Sequence, residues 1–186
     1  MRNLEDKEII ELFHTKHREE EAFRRLVDQY KERLYWHIRK MVLNHEDTDD
    51  ILQNTFVKIW QGLKEFRYES RLFTWMYRIA TNEAINFLNE KRRKVFGNAD
   101  EITAALENTL ESDVYFSGDK IQQELQKAIL QLSERQRLIF NMKYFDDMTY
   151  DDMAEILEVA VGTLKATYHH AVKKIEECMR IVDSKF

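Results

Sequence analysis

Apolar residues recur every three or four positions through most of this 186-residue chain. This spacing places them along one side of an α-helix, where they can face a core. It predicts helices over about residues 4–14, 22–42, 121–132 and 161–180, with others between them. The chain has no proline and only four glycines, which excludes a β-sandwich or barrel with turn residues about every ten positions. The sequence therefore predicts an all-α fold.

Polar residues that cap helices mark three helix starts. Asp47 precedes an apolar stripe and is predicted to accept hydrogen bonds from the first free amides. Ser133 with Gln136, and Thr149 with Asp152, have the spacing of capping boxes. The acids near residue 47 could instead hold magnesium, but successive side chains on a helix diverge by about 100°, which favours capping.

The charge distribution divides the chain. Its net charge is −5, but residues 95–119 carry six acidic and no basic side chains, while residues 1–94 carry 19 basic and 17 acidic ones. The acidic stretch also holds two of the four glycines and interrupts the periodic pattern. We therefore predict two small helical domains, over 1–94 and 121–186, joined by an acidic linker over 95–120.

Composition excludes several classes of protein. No run approaches the ~18 apolar residues that a membrane-spanning helix needs, and the acidic N-terminus lacks the pattern of a secretory signal. The single cysteine, Cys178, leaves no disulfide or thiolate metal cluster. We find no nucleophile–base pair, glycine-rich phosphate loop or metal-ligand spacing. We expect a cytoplasmic protein that is not inserted in a membrane, is not an enzyme, and binds no metal or cofactor.

A stretch of interleaved aromatic and basic side chains suggests binding of single-stranded nucleic acid. Aromatic rings can stack on unpaired bases while guanidinium groups hold phosphates. Core packing is the alternative, favoured for Phe73, Trp75 and Met76. Asparagines four residues apart then share a helix face, and an asparagine amide can pair with a base edge. The candidate residues are Phe66, Arg67, Tyr68, Arg71, Trp75, Arg78, Asn82 and Asn86.

The C-terminal part has the pattern of a helix-turn-helix. A short helix after Thr149 is followed by a turn, predicted to contain Gly162, and by the last helix. The early part of that helix is where a recognition helix enters the major groove. Its predicted DNA face comprises Thr163, Lys165, Ala166, Thr167, His169, His170, Lys173 and Lys174.

Three segments, residues 49–60, 66–82 and 161–165, together resemble the bacterial extracytoplasmic-function (ECF) sigma factors. The resemblance extends from about residue 20 to 178, with the segments in the family's order and spacing. It implies a first domain, sigma region 2, that docks on the β′ clamp of core RNA polymerase and opens the −10 promoter element. The clamp-facing residues would come from the polar face opposite the apolar stripe of the second long helix: Asp50, Gln53, Asn54, Lys58 and Gln61.

The resemblance also implies that the Phe66–Arg71 loop takes an extruded −10 base while Asn82 and Asn86 face the −10 element. The second domain, sigma region 4, would read the −35 element through the last helix. Its implied partners are core polymerase (β and β′), promoter DNA and an anti-sigma factor. The chain departs from the family where arginine is common, at Thr167, His170 and Val172, and it has Ala160 in place of a capping serine.

Other functions remain compatible with the pattern. A stand-alone helix-turn-helix regulator would bind a palindromic site tightly as the free protein. A helical adaptor would use the second domain to bind protein only, although the polar surface of residues 163–174 argues against this.

Overall fold

The computed structural model describes residues 2–68, 70–95 and 120–183. Within these ranges the chain forms eight α-helices and no β-strand, which confirms the all-α prediction. The helices are α1 Arg2–Phe13, α2 Glu19–Val42, α3 His45–Leu63, α4 Leu72–Val95, α5 Lys120–Leu130, α6 Glu134–Tyr144, α7 Tyr150–Leu157 and α8 Val161–Asp183.

The chain divides into two compact units, Met1–Phe87 and Leu88–Phe186. We call them the first and the second unit. Most of the predicted acidic linker lies outside the described residues.

The first unit is built on α2, against which α1 and α3 pack. The Tyr30 hydroxyl of α2 donates a hydrogen bond to Oδ1 of Asp6 in α1, at 2.6 Å, and both residues are buried. An edge-to-face contact at 5.4 Å joins Phe13 of α1 to Trp60 of α3. Packing on α2 buries the apolar side of α3, so that its opposite side faces solvent.

Helix α3 begins earlier than its sequence suggests. Leu43 ends α2 in the left-handed conformation (φ 64°), and Asn44 follows in an extended conformation. The Asn44 side chain accepts from the Asp47 amide at 2.9 Å, so Asn44 is the N-cap. The prediction that Asp47 caps this helix is wrong, because Asp47 already lies in the first helical turn. Within the described residues, no group of three or more His, Cys, Asp or Glu side chains has an arrangement that could hold a metal ion.

The second unit packs α5, α6 and α7 against the long helix α8. Both N-caps predicted in the C-terminal half are confirmed. Ser133 and Gln136 form the predicted capping box, and the Thr149 side chain caps its helix by accepting from the Asp152 amide at 3.1 Å. The apolar spacing of α5 includes Ile121 and predicts that it faces inward, but it is 67% exposed because it lies ahead of the part of α5 that meets the core. One cluster of buried apolar residues in this unit contains Ala128, Ile129, Leu132, Phe140, Ala171 and Ile175.

The turn between α7 and α8 is carried by Glu158 rather than by glycine. Glu158 is left-handed (φ 54°, ψ 43°), and its amide donates to the Ala154 carbonyl. Gly162 lies inside the first turn of α8. The prediction that Gly162 sits in the connecting turn is therefore wrong, since the reversal is complete before α8 begins.

Candidate nucleic-acid interface

The exposed side of α3 carries the five polar residues predicted to bind polymerase. Asp50, Gln53, Asn54, Lys58 and Gln61 are all exposed. The apolar side chain of Val57, 49% exposed, lies among them. Sequence reasoning missed Val57, although its helical position, four residues from both Gln53 and Gln61, places it on that same face.

Buried polar contacts hold α4 against α2. The Thr81 hydroxyl donates to the Tyr77 carbonyl at 2.7 Å. Nε2 of His37 lies 2.9 Å from the Thr81 hydroxyl oxygen. Because the hydroxyl proton is already engaged, Nε2 of His37 donates to Thr81. This network sets the rotation of α4, so that Asn82 and Asn86, both exposed, point away from the core.

Two aromatic residues of the candidate set pack within the protein, which was the favoured alternative for Trp75 but not for Phe66. Phe66 is buried, and its ring centroid lies 5.1 Å from that of the half-buried Trp75. Trp75 in turn covers Gly62 in the last turn of α3. The prediction that Phe66 presents a free stacking surface is wrong, because its ring is covered by the junction of α3 and α4.

Tyr68 is the exposed aromatic residue of the loop between α3 and α4. It adopts the left-handed conformation (φ 60°), and 50% of its surface is exposed. Its ring lies on Phe66, with centroids 5.6 Å apart. Partial burial, and secondly the carboxylate of Glu11 in α1, raise the pKa of the Tyr68 hydroxyl. Left-handed backbone at a non-glycine residue is strained, and such strain often occurs at functional sites.

Basic residues border this ring. Arg67 and Arg71 are exposed in the same loop, whereas Arg78 is half-buried in α4. The first unit therefore exposes Tyr68 and two guanidinium groups in the α3–α4 loop, and two asparagines on α4.

The predicted DNA face of α8 lies on its solvent side. Thr167 is the one half-buried member, and its hydroxyl donates to the Thr163 carbonyl at 2.8 Å, so only its lone pairs remain for a ligand. The Lys174 ammonium donates to the Gln131 carbonyl at the end of α5, which indicates a structural contact. The exposed members are Thr163, Lys165, Ala166, His169, His170, Lys173 and Lys174.

Two residues outside α8 extend this face. The ammonium groups of Lys165 in α8 and Lys143 in α6 each lie 5.6 Å from the ring centroid of Tyr150, at the start of α7. Lys143 also donates to the Met148 carbonyl at 3.0 Å. The sequence did not point to Lys143, because a lysine in the last turn of a helix is also explained by the helix dipole. Tyr150 joins this face only through its contacts with the two lysines, which the sequence does not show.

Both helical parts of the chain match models of known families. Residues 26–94 match Sigma-70 region 2, and residues 122–175 match Sigma-70 region 4. The ECF RNA polymerase sigma factor SigW of Bacillus subtilis is 27% identical over 171 residues, which cover 87% of this chain and 91% of SigW.

Two solved structures share the fold. The sigma factor RpoE of Bartonella quintana, in complex with the anti-sigma factor NepR, has a TM-score of 0.66 and 22% identity, covering 86% of this chain and 97% of that one. CnrH, in complex with the cytosolic domain of CnrY, has a TM-score of 0.68 and 18% identity, with coverage of 95% and 98%.

The helical units and their matched regions define a sigma-70-type transcription initiation factor, a class without catalytic activity of its own. Within that class, the chain belongs to the ECF sigma factors. It binds core RNA polymerase and directs initiation at promoters with −35 and −10 elements, where it assists melting. Among the described residues, no helix is both long enough and apolar enough to cross a membrane.

Proposed function

We propose that three surfaces of this chain divide the work of promoter opening. The exposed side of α3 docks on the β′ clamp, the α3–α4 loop and α4 act on the −10 element, and the solvent side of α8 reads the −35 element. The exposed Tyr68 ring in the loop between α3 and α4 is the observation that carries the assignment of −10 opening to the first unit. The underlying domains are residues 1–94 and 121–186, with 95–120 between them.

At the −10 element, Tyr68 stacks on the extruded base while Arg67 and Arg71 hold neighbouring phosphates. Phe66 packs against the Tyr68 ring rather than touching DNA, in keeping with the 5.6 Å between their ring centroids. Stacking of one base on an aromatic ring contributes about 1–3 kcal/mol. Asn82 and Asn86 contact bases or the backbone of the same strand.

At the −35 element, Lys165 and His169 meet base edges or phosphates in the major groove. Lys143 and Tyr150 add a contact to the DNA backbone beside Lys165, since the ammonium groups of both lysines lie 5.6 Å from the centroid of the Tyr150 ring. Phosphate contacts position the helix, whereas base contacts set the sequence preference.

At the clamp, the polar residues of α3 surround Val57. An exposed apolar side chain ringed by polar groups is a common feature of protein interfaces. Gln53 and Asn54 flank it and form hydrogen bonds to the clamp surface.

Substitutions in the two units test this division. The holoenzyme is first used to select promoters from a randomised library, and a selected promoter then serves as template. Lys165→Ala is expected to relax preference at one or two upstream positions by about tenfold, since one good base contact discriminates by about 1–3 kcal/mol. Permanganate footprints of the melted region should not change.

The −10 variants should behave in the opposite way. Tyr68→Ala and Asn82→Ala are expected to impair melting while upstream preference persists, and Tyr68→Phe, which keeps the ring, should retain most of the opening. The assignment is overturned if Lys165→Ala abolishes activity on a pre-opened template, or if Asn82→Ala changes only the upstream preference.

We also propose that an anti-sigma factor controls this chain in the cytoplasm, where it meets polymerase. Support comes from the two proteins of similar fold, each solved with a partner, of which NepR is described as an anti-sigma factor. The exposed faces of the described helices offer such a partner the surfaces that polymerase and DNA would otherwise occupy.

A further inference from the structure

An ion pair joins the two helices that carry the polymerase and −10 surfaces. The ammonium of Lys58 in α3 donates to Oε1 of Glu83 in α4, 25 residues later in the chain. The Lys58 side chain is 53% exposed, whereas that of Glu83 is only 16% exposed. The partly enclosed carboxylate is therefore held by a cation that reaches it from the neighbouring helix.

Glu83 lies at the edge of the proposed −10 face. It follows Asn82 directly and precedes Asn86 by three residues, a spacing that puts Glu83 and Asn86 on adjacent positions of the helix surface. A carboxylate with no cation beside it would repel the phosphates of a strand lying along these asparagines. Its low exposure limits screening of that charge by water and salt.

We propose that Lys58 is a positioning residue of the −10 face, which neutralises and holds Glu83, rather than a contact to the polymerase clamp. This inference rests on the proposed function of Asn82 and Asn86. Lys58 is thereby removed from the polymerase-binding set, because its ammonium binds Glu83 of α4. Gln53, Asn54 and Gln61 are left to contact the clamp.

A double-mutant cycle tests the proposal in the holoenzyme. Lys58→Met, Glu83→Gln and the double variant are each titrated against core polymerase, and then against a fluorescent template from the promoter selection whose −10 segment is pre-melted. Lys58→Met is expected to weaken template binding about fivefold, the upper range for a pair near the surface, with core affinity unchanged. Glu83→Gln should restore binding in the Lys58→Met background, and Lys58→Arg should bind as the unsubstituted chain does.

Matched controls separate the proposal from its alternatives. Lys31→Met removes one exposed charge from α2 and should leave template binding unchanged. The proposal is overturned if Lys58→Met weakens core binding without rescue by Glu83→Gln, or if template binding does not change. Asn82→Ala, measured in parallel, tests the proposed function itself: if it has no effect on the template, the −10 assignment fails independently of the ion pair.

Discussion

Gly62 is the glycine whose missing side chain matters for the −10 surface. A Cβ built on Gly62 would lie 2.7 Å from Cζ2 of Trp75, too close for two carbon atoms. Because Trp75 also contacts Phe66, and Phe66 contacts Tyr68, a displaced Trp75 ring would disturb all three packed rings.

Gly62→Ala is therefore expected to lower the free energy of unfolding of the first unit. Overpacking costs about 1–3 kcal/mol, and the better helix propensity of alanine returns up to about 1 kcal/mol, so we expect a net loss of about 1 kcal/mol. Urea titration followed by tryptophan fluorescence measures it, since all three tryptophans lie in this unit. An unchanged or increased free energy of unfolding would show that the Trp75 ring can move aside without loss of packing.

Gly162 provides the matched control. A Cβ there meets no atom within 4 Å, and its φ is not in the left-handed range. Gly162→Ala is expected to stabilise the second unit by about 0.5–1 kcal/mol through helix propensity alone. Circular dichroism in a urea titration reports this change.

At the scale of elements, the start of α8 has no side-chain oxygen at its N-cap position. The Leu164 amide donates to the Ala160 carbonyl at 3.2 Å, which is the first helical bond, and the Ala160 methyl group has no acceptor for the other free amides. Helices α3, α6 and α7 each begin instead with a capping side chain, from Asn44, Ser133 and Thr149.

Ala160→Ser is expected to stabilise the second unit by about 1 kcal/mol, because a serine oxygen at this position can accept an amide of the first turn. Ser133→Ala gives the reverse comparison and should cost a similar amount, since it removes the acceptor for the Gln136 amide. Thermal unfolding monitored by circular dichroism compares the two. The −35 preference should not change, and a loss of stability in Ala160→Ser would mean that its backbone does not allow the cap.

At the scale of the whole molecule, the charge balance opposes binding of the free chain to DNA. The net charge is −5, and six carboxylates lie between residues 95 and 119 without a basic residue among them. Sigma factors act when held on polymerase, so weak binding by the free chain is compatible with the function.

Replacing those six carboxylates by amides is expected to raise the affinity of the free chain for promoter duplex about tenfold at low salt. The difference should shrink as salt rises, because the Debye length falls to about 10 Å at 0.1 M. Fluorescence anisotropy at several salt concentrations measures it, with an unrelated duplex as control. Equal affinities at low salt would mean that the acidic stretch does not oppose DNA. The positions are Asp100, Glu101, Glu107, Glu111, Asp113 and Asp119.

The sequence by itself determined the helices and the N-caps of two helices in the C-terminal half, Ser133 and Thr149. Both depend on contacts within about four residues, so apolar spacing and local hydrogen bonds are readable along the chain. It also indicated the exposed sides of α3, α4 and α8, because a helix turns its polar residues away from its apolar stripe. The start of α3 was missed for a local reason, since Asn44 and Asp47 are both good capping residues and only the backbone conformation distinguishes them.

Tertiary structure alone decided which exposed-looking residues are free. Phe66 and Tyr68 stand two apart in one loop, yet packing against Trp75 buries the first and leaves the second exposed. In the sequence, Lys58 is indistinguishable from the other polar residues of α3. Its ion pair with Glu83, 25 residues later, forms only because α4 packs beside α3. Such contacts depend on how whole helices pack against each other. Apolar periodicity indicates only which side of its own helix a residue occupies, so it cannot predict which residue of another helix will contact it.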